Sequence, residues 1–573
     1  MREETDVLVI GSGIAGITAS IEAARNGASV TLACAGPLFG GSSFYPGTWG
    51  LGLIGPIDAE DETDLIATIE DVGCGVANPV LVETFVRGIR PSISWLEDEL
   101  DVELKRPSCP ESAREATFIP CFDHKCRMWR GITRDSLERA ARRHIDDLGI
   151  SVLERCELME LIRGQNGAPG GAGGLDNDDI VETDIIDNGG GIASTPDSDI
   201  MACSQDSAQS PVVGAILYDA SSASLFIQSA RAIILATGGT GGLFERSLTS
   251  RDVLSSAHGI ALNAGCSLVN IEFMQMMPGL VEPVRGVVFN EKTFRYAMFD
   301  DPNGVLPANP DELADLLETR SGHGPFTCRL HDEAVDLAID AAGKRGISVR
   351  FDFPKEHIPE FVRTFSKWME DELDIDAADV LRVAMYAHAA NGGIRIDEKA
   401  RTDVPGLFAC GEVTGGMHGA DRIGGLSSAN GLVFGRIAGM NAALLSQSNE
   451  MQRRPTPELD MTLKLVRMST VPLDEMDSTR ISADMRRTMS THAMIGRTEH
   501  GLLSARHDIE RLLKEVRHHG ECRSCVIPTD SALARGIRIS SQLRLAHAML
   551  EAMRGRRNSL GPHLRADIEV EYP

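Results

Sequence analysis

Asp6-Val7-Leu8-Val9-Ile10-Gly11-Ser12-Gly13-Ile14-Ala15-Gly16 is the stretch whose reading decides the fold. A short apolar run stops at glycine, and Ala19, Ile21, Ala23 and Ala24 then continue at helical spacing, so the order is strand, tight turn, helix. After Gly27, Ala28-Ser29-Val30-Thr31-Leu32-Ala33-Cys34 reads as a second parallel strand, which completes a βαβ unit. Gly11, Gly13 and Gly16 let the backbone approach a pyrophosphate, whose charge is stabilised by amides and by the positive end of the helix that Ile14 and Ala15 begin. The acidic residue that usually ends the second strand and binds ribose hydroxyls is absent. Ala33 and Cys34 stand there, and no arginine replaces it, so the motif leans away from NADP.

The 573 residues suffice for roughly three to four domains. Hydrophobic residues at 42% and charged residues at 24% are the proportions of a soluble globular protein, which excludes disorder of the whole chain and a collagen-like structure. No stretch is long and apolar enough for a membrane span, and Met1-Arg2-Glu3-Glu4 begins no signal region, so a cytoplasmic location is expected. A formal charge of −27 repels phosphate backbones and anionic lipid, which argues against nucleic acid as a partner. The 12 cysteines read as reduced thiols.

Further along, amphipathic patterns predict helices around Pro79 to Leu100 and Thr133 to Leu148. Between about Gly164 and Ser210 the chain is rich in Gly, Asp and Ser and reads as a flexible surface insertion; its acidic spacing matches no EF-hand loop. Strand character returns at Pro211–Leu217, Ser224–Ile227 and Ala232–Ala236, read as a hairpin feeding a separate buried strand. From Pro455 onward the pattern is helical. Cys522 with Cys525, and Cys121 with Cys126, are two lone thiol pairs, and no metal site is expected from them. The basic run Arg139 to Arg143 reads as a solvated face or an interdomain contact rather than a polyanion site.

Two later segments repeat the plan of the first. Ala236-Thr237-Gly238-Gly239 follows a buried strand, and Leu407-Phe408-Ala409-Cys410-Gly411-Glu412 is again an apolar run, a glycine and a carboxylate. With Gly11–Gly16 they resemble the two-part FAD site of the succinate dehydrogenase, fumarate reductase and L-aspartate oxidase flavoprotein family. His418-Gly419-Ala420-Asp421-Arg422-Ile423-Gly424-Gly425-Leu426-Ser427-Ser428 is similar to that family's His-Gly-Ala-Asn-Arg-Leu-Gly-Gly-Asn-Ser-Leu. Ile271-Glu272-Phe273-Met274-Gln275-Met276-Met277-Pro278 resembles its Met-Glu-Phe-Val-Gln-Phe-His-Pro. Asn391–Leu407 and the terminal Ala552–His563 resemble two further family stretches.

The resemblance implies an α/β chain: a Rossmann-like FAD domain interrupted by an α+β capping domain and followed by a helical C-terminal domain. The boundaries it suggests are 1–272, 273–384, 385–447 and 455–573. It implies FAD contacts at Gly11, Gly13, Ile14, Ala15, Gly16, Cys34, Ala236, Thr237, Gly238, Gly239, Gly411 and Glu412, and at Gly425, Ser427 and Ser428, where a helix points its positive end at the flavin. Gly41, Ser42, Ser43 and Gly50 belong to the stretch matching the family's flavin-linking loop. That loop carries no histidine here, so FAD is expected to be noncovalent. For a small carboxylate substrate the resemblance implies His388 and Arg422 as anchors, Arg329 as the proton-transferring arginine with Arg320 as runner-up, and Glu282 from the family's Thr-Glu.

Met277 stands where the family has a substrate histidine and Val281 where it has threonine. Neither donates a comparable hydrogen bond, so a substrate less polar at its far end than a C4-dicarboxylate is expected. The expected activity is hydride transfer between flavin N5 and a carbon adjacent to a carboxylate, with a separate electron donor or acceptor. The alternatives are an L-aspartate oxidase and an electron-transferring flavoprotein subunit that needs an iron-sulfur partner.

Overall fold

Val7, Leu8 and Val9 are wholly buried because the strand they form lies in the middle of a sheet covered on both faces. A computed structural model describes residues 4–48, 50–164, 210–354, 357–448, 459–521 and 528–568. The expected insertion at 164–210, apart from its two ends, and the Cys522/Cys525 pair lie outside them.

Strand β1 (Thr5–Ile10), helix α1 (Ile14–Arg25) and strand β2 (Val30–Ala33) form the expected βαβ unit, with Val7 opposite Val30 and Ile10 opposite Ala33 in parallel register. Helices α2 (Pro79–Ser94) and α3 (Arg134–Asp147) follow where the patterns placed them, and Asn78 caps α2 by accepting from the amides of Val80 and Leu81. Strand β3 (Ser151–Leu153) joins β2, after which β4 (Cys156–Arg163), β5 (Val212–Asp219) and β6 (Ser224–Leu235) extend the sheet to the order β3-β2-β1-β6-β5-β4.

Here the structure corrects a sequence expectation. Ser224–Ile227 and the buried run after it are not separate strands. β6 runs through both without a turn, pairing antiparallel with β5 at one end (Asp219 opposite Ser224) and parallel with β1 at the other (Ile10 opposite Leu235). No glycine or proline lies between Ser224 and Leu235 to break it.

A second, antiparallel sheet comprises β7 (Met274–Glu282), β8 (Ala297–Asp300), β9 (Ile347–Phe351) and β10 (Leu381–Ala390) in the order β7-β10-β9-β8, with helix α4 (Glu333–Ala341) between β8 and β9 in the chain. Strand β11 (Leu407–Ala409) then returns the chain to the first sheet beside β6, and α5 (Leu426–Ser446) packs on α1. The two helices approach closely enough that a methyl added to Gly439 would stand 2.4 Å from the Ala19 carbonyl oxygen.

Helices α6 (Leu459–Ser469), α7 (Glu475–His492), α8 (Glu499–Glu521) and α9 (Asp530–Gly555) complete the chain. They are tied back through Glu272. Arg556 bonds its carboxylate at 2.6 Å, and the fully buried Arg497 donates to its carbonyl at 2.8 Å and to His563 at 2.6 Å. Among the described residues no helix is long and apolar enough to cross a membrane, no group of acidic, histidine or cysteine side chains could hold a metal ion, and the cysteines are free thiols.

Candidate active site

The three glycine segments leave the C-terminal ends of adjacent parallel strands, β1, β6 and β11, which is where open α/β sheets bind ligands. One cavity runs over these ends. It is lined by Gly11, Gly13, Ile14 and Ala15 from the first turn, by Cys34 after β2, and by Gly41, Ser42, Ser43 and Gly50 from the loop beyond. Ala236, Thr237 and Gly238 follow β6 into its wall, Gly411 and Glu412 follow β11, and Gly425, Ser427 and Ser428 come from the start of α5.

Gly16 and Gly239 stand behind this wall. A methyl on Gly16 would lie 1.8 Å from the Gly11 carbonyl oxygen, and one on Gly239 would lie 2.3 Å from Glu412 Oε1. Their part is to let backbone and carboxylate close up.

The lining fits a dinucleotide. Gly13 faces open space: a methyl there would touch only Ser43 Oγ, at 3.4 Å. The Ile14 amide donates to that Oγ at 3.0 Å, fixing the loop against the first turn of α1, whose positive end suits an anion. Ser42 Oγ, Thr237 Oγ1 and Asp252 Oδ1 are buried at the cavity without a partner, and a buried polar atom without one is costly unless a ligand satisfies it. Burial pushes the Cys34 thiol up to about 11, so it lines the site uncharged at neutral pH. Burial likewise raises the Glu412 carboxyl, whose Oε1 accepts from the Ala390 amide at 3.0 Å.

Beyond Glu412 the same cavity reaches His388, Arg422 and Met277. Arg422 is buried, and its Nη2 donates to Gln275 Oε1 at 3.1 Å while Nε has no partner. Its charge is disfavoured by burial; Glu412 and Asp421 offset part of this from a distance, but neither comes within ion-pair reach among the described residues. His388 owes its aim to a bulge. Gln275 pairs with Ala389 and Met276 with Ala387, so His388 is the extra residue of β10 and turns out of the ladder. Burial first, then the nearby Arg422, hold its imidazole neutral with a pKa of about 3, and Nδ1 is unpartnered. Met277 packs with Leu248, Val288, Ala384 and Tyr386, which makes this wall apolar, and Val281 packs against the same group.

Three expected residues are elsewhere. Arg329 does not line the cavity; its guanidinium lies 3.4 Å from the exposed Asp71 and 3.9 Å from Asp421. Glu282, at the outer end of β7, is exposed and pairs with Arg382 at 3.3 Å. Arg320 is sealed in the interior on Asp336, at 2.8 and 3.0 Å.

Three lining residues had no signal in the sequence. Asp252 accepts from the Gly41 amide at 2.8 Å and shapes the loop before it. Glu157 bonds Arg538 of α9 at 2.8 Å. Lys292, from the segment between β7 and β8, is buried against the Ile119 carbonyl at 3.1 Å. Asp252 and Lys292 sit in ordinary polar stretches and Glu157 in an apolar strand, and only tertiary structure brings them to the cavity.

A family model described as an FAD binding domain matches residues 6–428, and one described as the fumarate reductase flavoprotein C-terminal region matches 482–571. The chain is 29% identical over 367 residues to one component of the fumarate reductase (CoM/CoB) of Methanothermobacter marburgensis, covering 60% of this chain and 62% of that protein, less than two thirds of its length. It is 26% identical to the L-aspartate oxidase of Streptomyces coelicolor, over 98% of this chain and 88% of that one. Its fold matches that of FrdA of Escherichia coli quinol fumarate reductase with a TM-score of 0.72 at 18% identity, covering 100% of this chain and 93% of the other. With a cavity fitted to a dinucleotide and a family model spanning well over half its length, the chain belongs to the FAD-dependent oxidoreductases of the succinate dehydrogenase, fumarate reductase and L-aspartate oxidase family.

Proposed function

We propose that this protein transfers a hydride between FAD and a carbon adjacent to the carboxylate of a small substrate, with Arg422 and His388 holding that carboxylate. The observation that carries this reading is Arg422, a buried guanidinium at the cavity whose Nε is unpartnered and whose Nη2 meets only a neutral amide oxygen. A buried charge without a direct ion pair is costly even with Glu412 and Asp421 nearby, and an entering carboxylate offsets that cost through bonds strengthened by charge. His388, kept neutral, adds a donor or an acceptor without adding charge.

Hydride exchange at N5 is the chemistry that FAD supplies when bound. The chain's share is to hold the cofactor through the three glycine segments, to neutralise the substrate carboxylate at Arg422, and to shield the reacting carbons behind Met277 and its apolar neighbours. The apolar wall favours a substrate whose far end is less polar than that of fumarate or aspartate. Electrons come from a separate donor. FAD is held without a covalent bond, because the stretch from Gly40 to Gly50 has no histidine to link it.

The test is to photoreduce the protein anaerobically and add fumarate, iminoaspartate or trans-2-hexenoate in turn. Return of the oxidised flavin spectrum, fastest with the hexenoate, is expected. Bands that stay bleached with all three would overturn the reading. The likeness to an L-aspartate oxidase over nearly the whole chain favours a second reading, oxidation of L-aspartate with oxygen as acceptor, for which peroxide formation from aspartate is the assay.

A further inference from the structure

We propose that Lys292 is the proton donor of this site. The inference rests on the hydride-transfer reading above and supplies the group that reading lacks, since neither Arg329 nor Arg320 lines the cavity.

Lys292 is buried at the cavity wall on the short helical turn Glu291–Tyr296, where Asn290 accepts from its amide and so fixes the start of the turn. An ammonium has three N–H donors. Here one is met by the Ile119 carbonyl at 3.1 Å, and no ion pair is formed among the described residues. A buried cation with donors to spare beside a ligand cavity is poised toward what enters it.

The other proton carriers of the cavity are engaged. The Cys121 thiol donates to Glu291 at 3.3 Å and the Tyr45 hydroxyl to the Gly286 carbonyl at 2.6 Å. Burial pushes both groups up to about 12. Glu157 is bonded to Arg538, Glu291 accepts from Cys121, and Asp252 and Glu412 each accept one amide, from Gly41 and from Ala390, among the segments that hold the cofactor. His388 is neutral and Arg422 holds the carboxylate. An ammonium also releases a proton more readily than a guanidinium does. The charged and titratable groups around Lys292 are Glu291 on its own turn, Cys121 and Cys126 on the facing segment, and Arg422 beyond Cys121.

In the reducing direction one carbon of the substrate double bond receives the hydride from the reduced flavin and the other receives H⁺ from the Lys292 ammonium. An N–H bond breaks and a C–H bond forms. The lysine, left as a neutral amine, regains its proton from solvent.

The experiment compares FAD-loaded wild type with Lys292→Met and Lys292→Arg, using fumarate and trans-2-hexenoate as probes. In Lys292→Met the flavin spectrum and melting temperature are expected to persist. Probe binding, read from the shift of the oxidised flavin bands, should stay within about threefold, while reoxidation of the photoreduced protein slows by about 100-fold or more. Lys292→Arg, which keeps the positive charge but releases a proton less readily, should bind the probes yet reoxidise as slowly as Lys292→Met.

A Lys292→Met rate near that of wild type overturns the proposal. So does a loss of binding as large as the loss of rate, which would make Lys292 an anchor only, and so does loss of flavin from both variants, which would make it a strap on the Ile119 loop. If neither probe reoxidises even the wild type, the hydride-transfer reading itself falls and this proposal with it.

Discussion

Arg422 and Asp421 are neighbours in the chain with opposite problems, each a buried charge short of partners. For Arg422 the remedy is a ligand. Replacing it with methionine removes hydrogen bonds to a charged group, each typically about 1.5–3 kcal/mol, so a carboxylate probe should bind about 10- to 100-fold more weakly. Titration of the flavin bands checks this, and an unchanged absorbance before the probe is added shows that the fold survives. Asp421 stands where the family motif has asparagine. Burial pushes its carboxyl up to about 7 despite a bond from Thr327 at 2.7 Å and Arg329 nearby. A carboxyl whose folded pKa is raised above its usual 3.8 favours the folded state while protonated, and that contribution is lost as pH rises from about 4 through 7. Asp421→Asn should therefore melt higher than wild type at pH 8 and match it near pH 4. Equal melting temperatures at both pH values would contradict the burial argument.

Among the elements, the turn between β1 and α1 separates two kinds of glycine. Gly16→Ala would drive a methyl into the Gly11 carbonyl, 1.8 Å away, and should lower the melting temperature and cost FAD together. Gly13 has an extended backbone that any residue adopts and an open surround, so Gly13→Ala should leave the apoprotein as stable as before and weaken only cofactor binding. Differential melting with and without added FAD distinguishes the two. This turn was legible in the sequence because its signal is local, a buried run, glycines and a helix within a few residues. His388 was placed by motif spacing, but its aim was not, because the bulge exists only in the register between β7 and β10. β6 looked like two strands because its middle, Gln228 to Arg231, is polar or small, and nothing in the sequence shows that Gln228 is buried. Arg329 was the candidate because it precedes an amphipathic helix, and it lies outside the cavity because the direction of a long side chain is settled by neighbours such as Asp71 and Asp421 from distant segments.

At the scale of the whole molecule, the helical C-terminal region reaches the cavity through Glu157 and Arg538, a pair buried on the Glu157 side. Arg538→Ala removes that carboxylate's partner at the cofactor wall and should both destabilise the protein and weaken FAD binding, by less than the roughly 3–5 kcal/mol of a fully buried pair because Arg538 is partly exposed. Chemical denaturation followed by flavin fluorescence checks both. Precipitation with acid should leave the flavin in the supernatant, since no covalent linkage is expected, and yellow pelleted protein would contradict this.

The order of the central strands has a further consequence, for synthesis on the ribosome. Val9 pairs with Ile234, and Ile234 in turn with Phe408, so β1 waits for β6, and β6 for β11. At about 5–20 residues per second, each wait lasts about ten seconds or more. Through that time the nascent β1-β2 pair presents an apolar strand edge with nothing beside it. Such an edge is a template for mispairing, so the emerging chain should depend on a chaperone, and a ribosome-bound chain halted before β6 should be captured by one more strongly than a chain halted after β11.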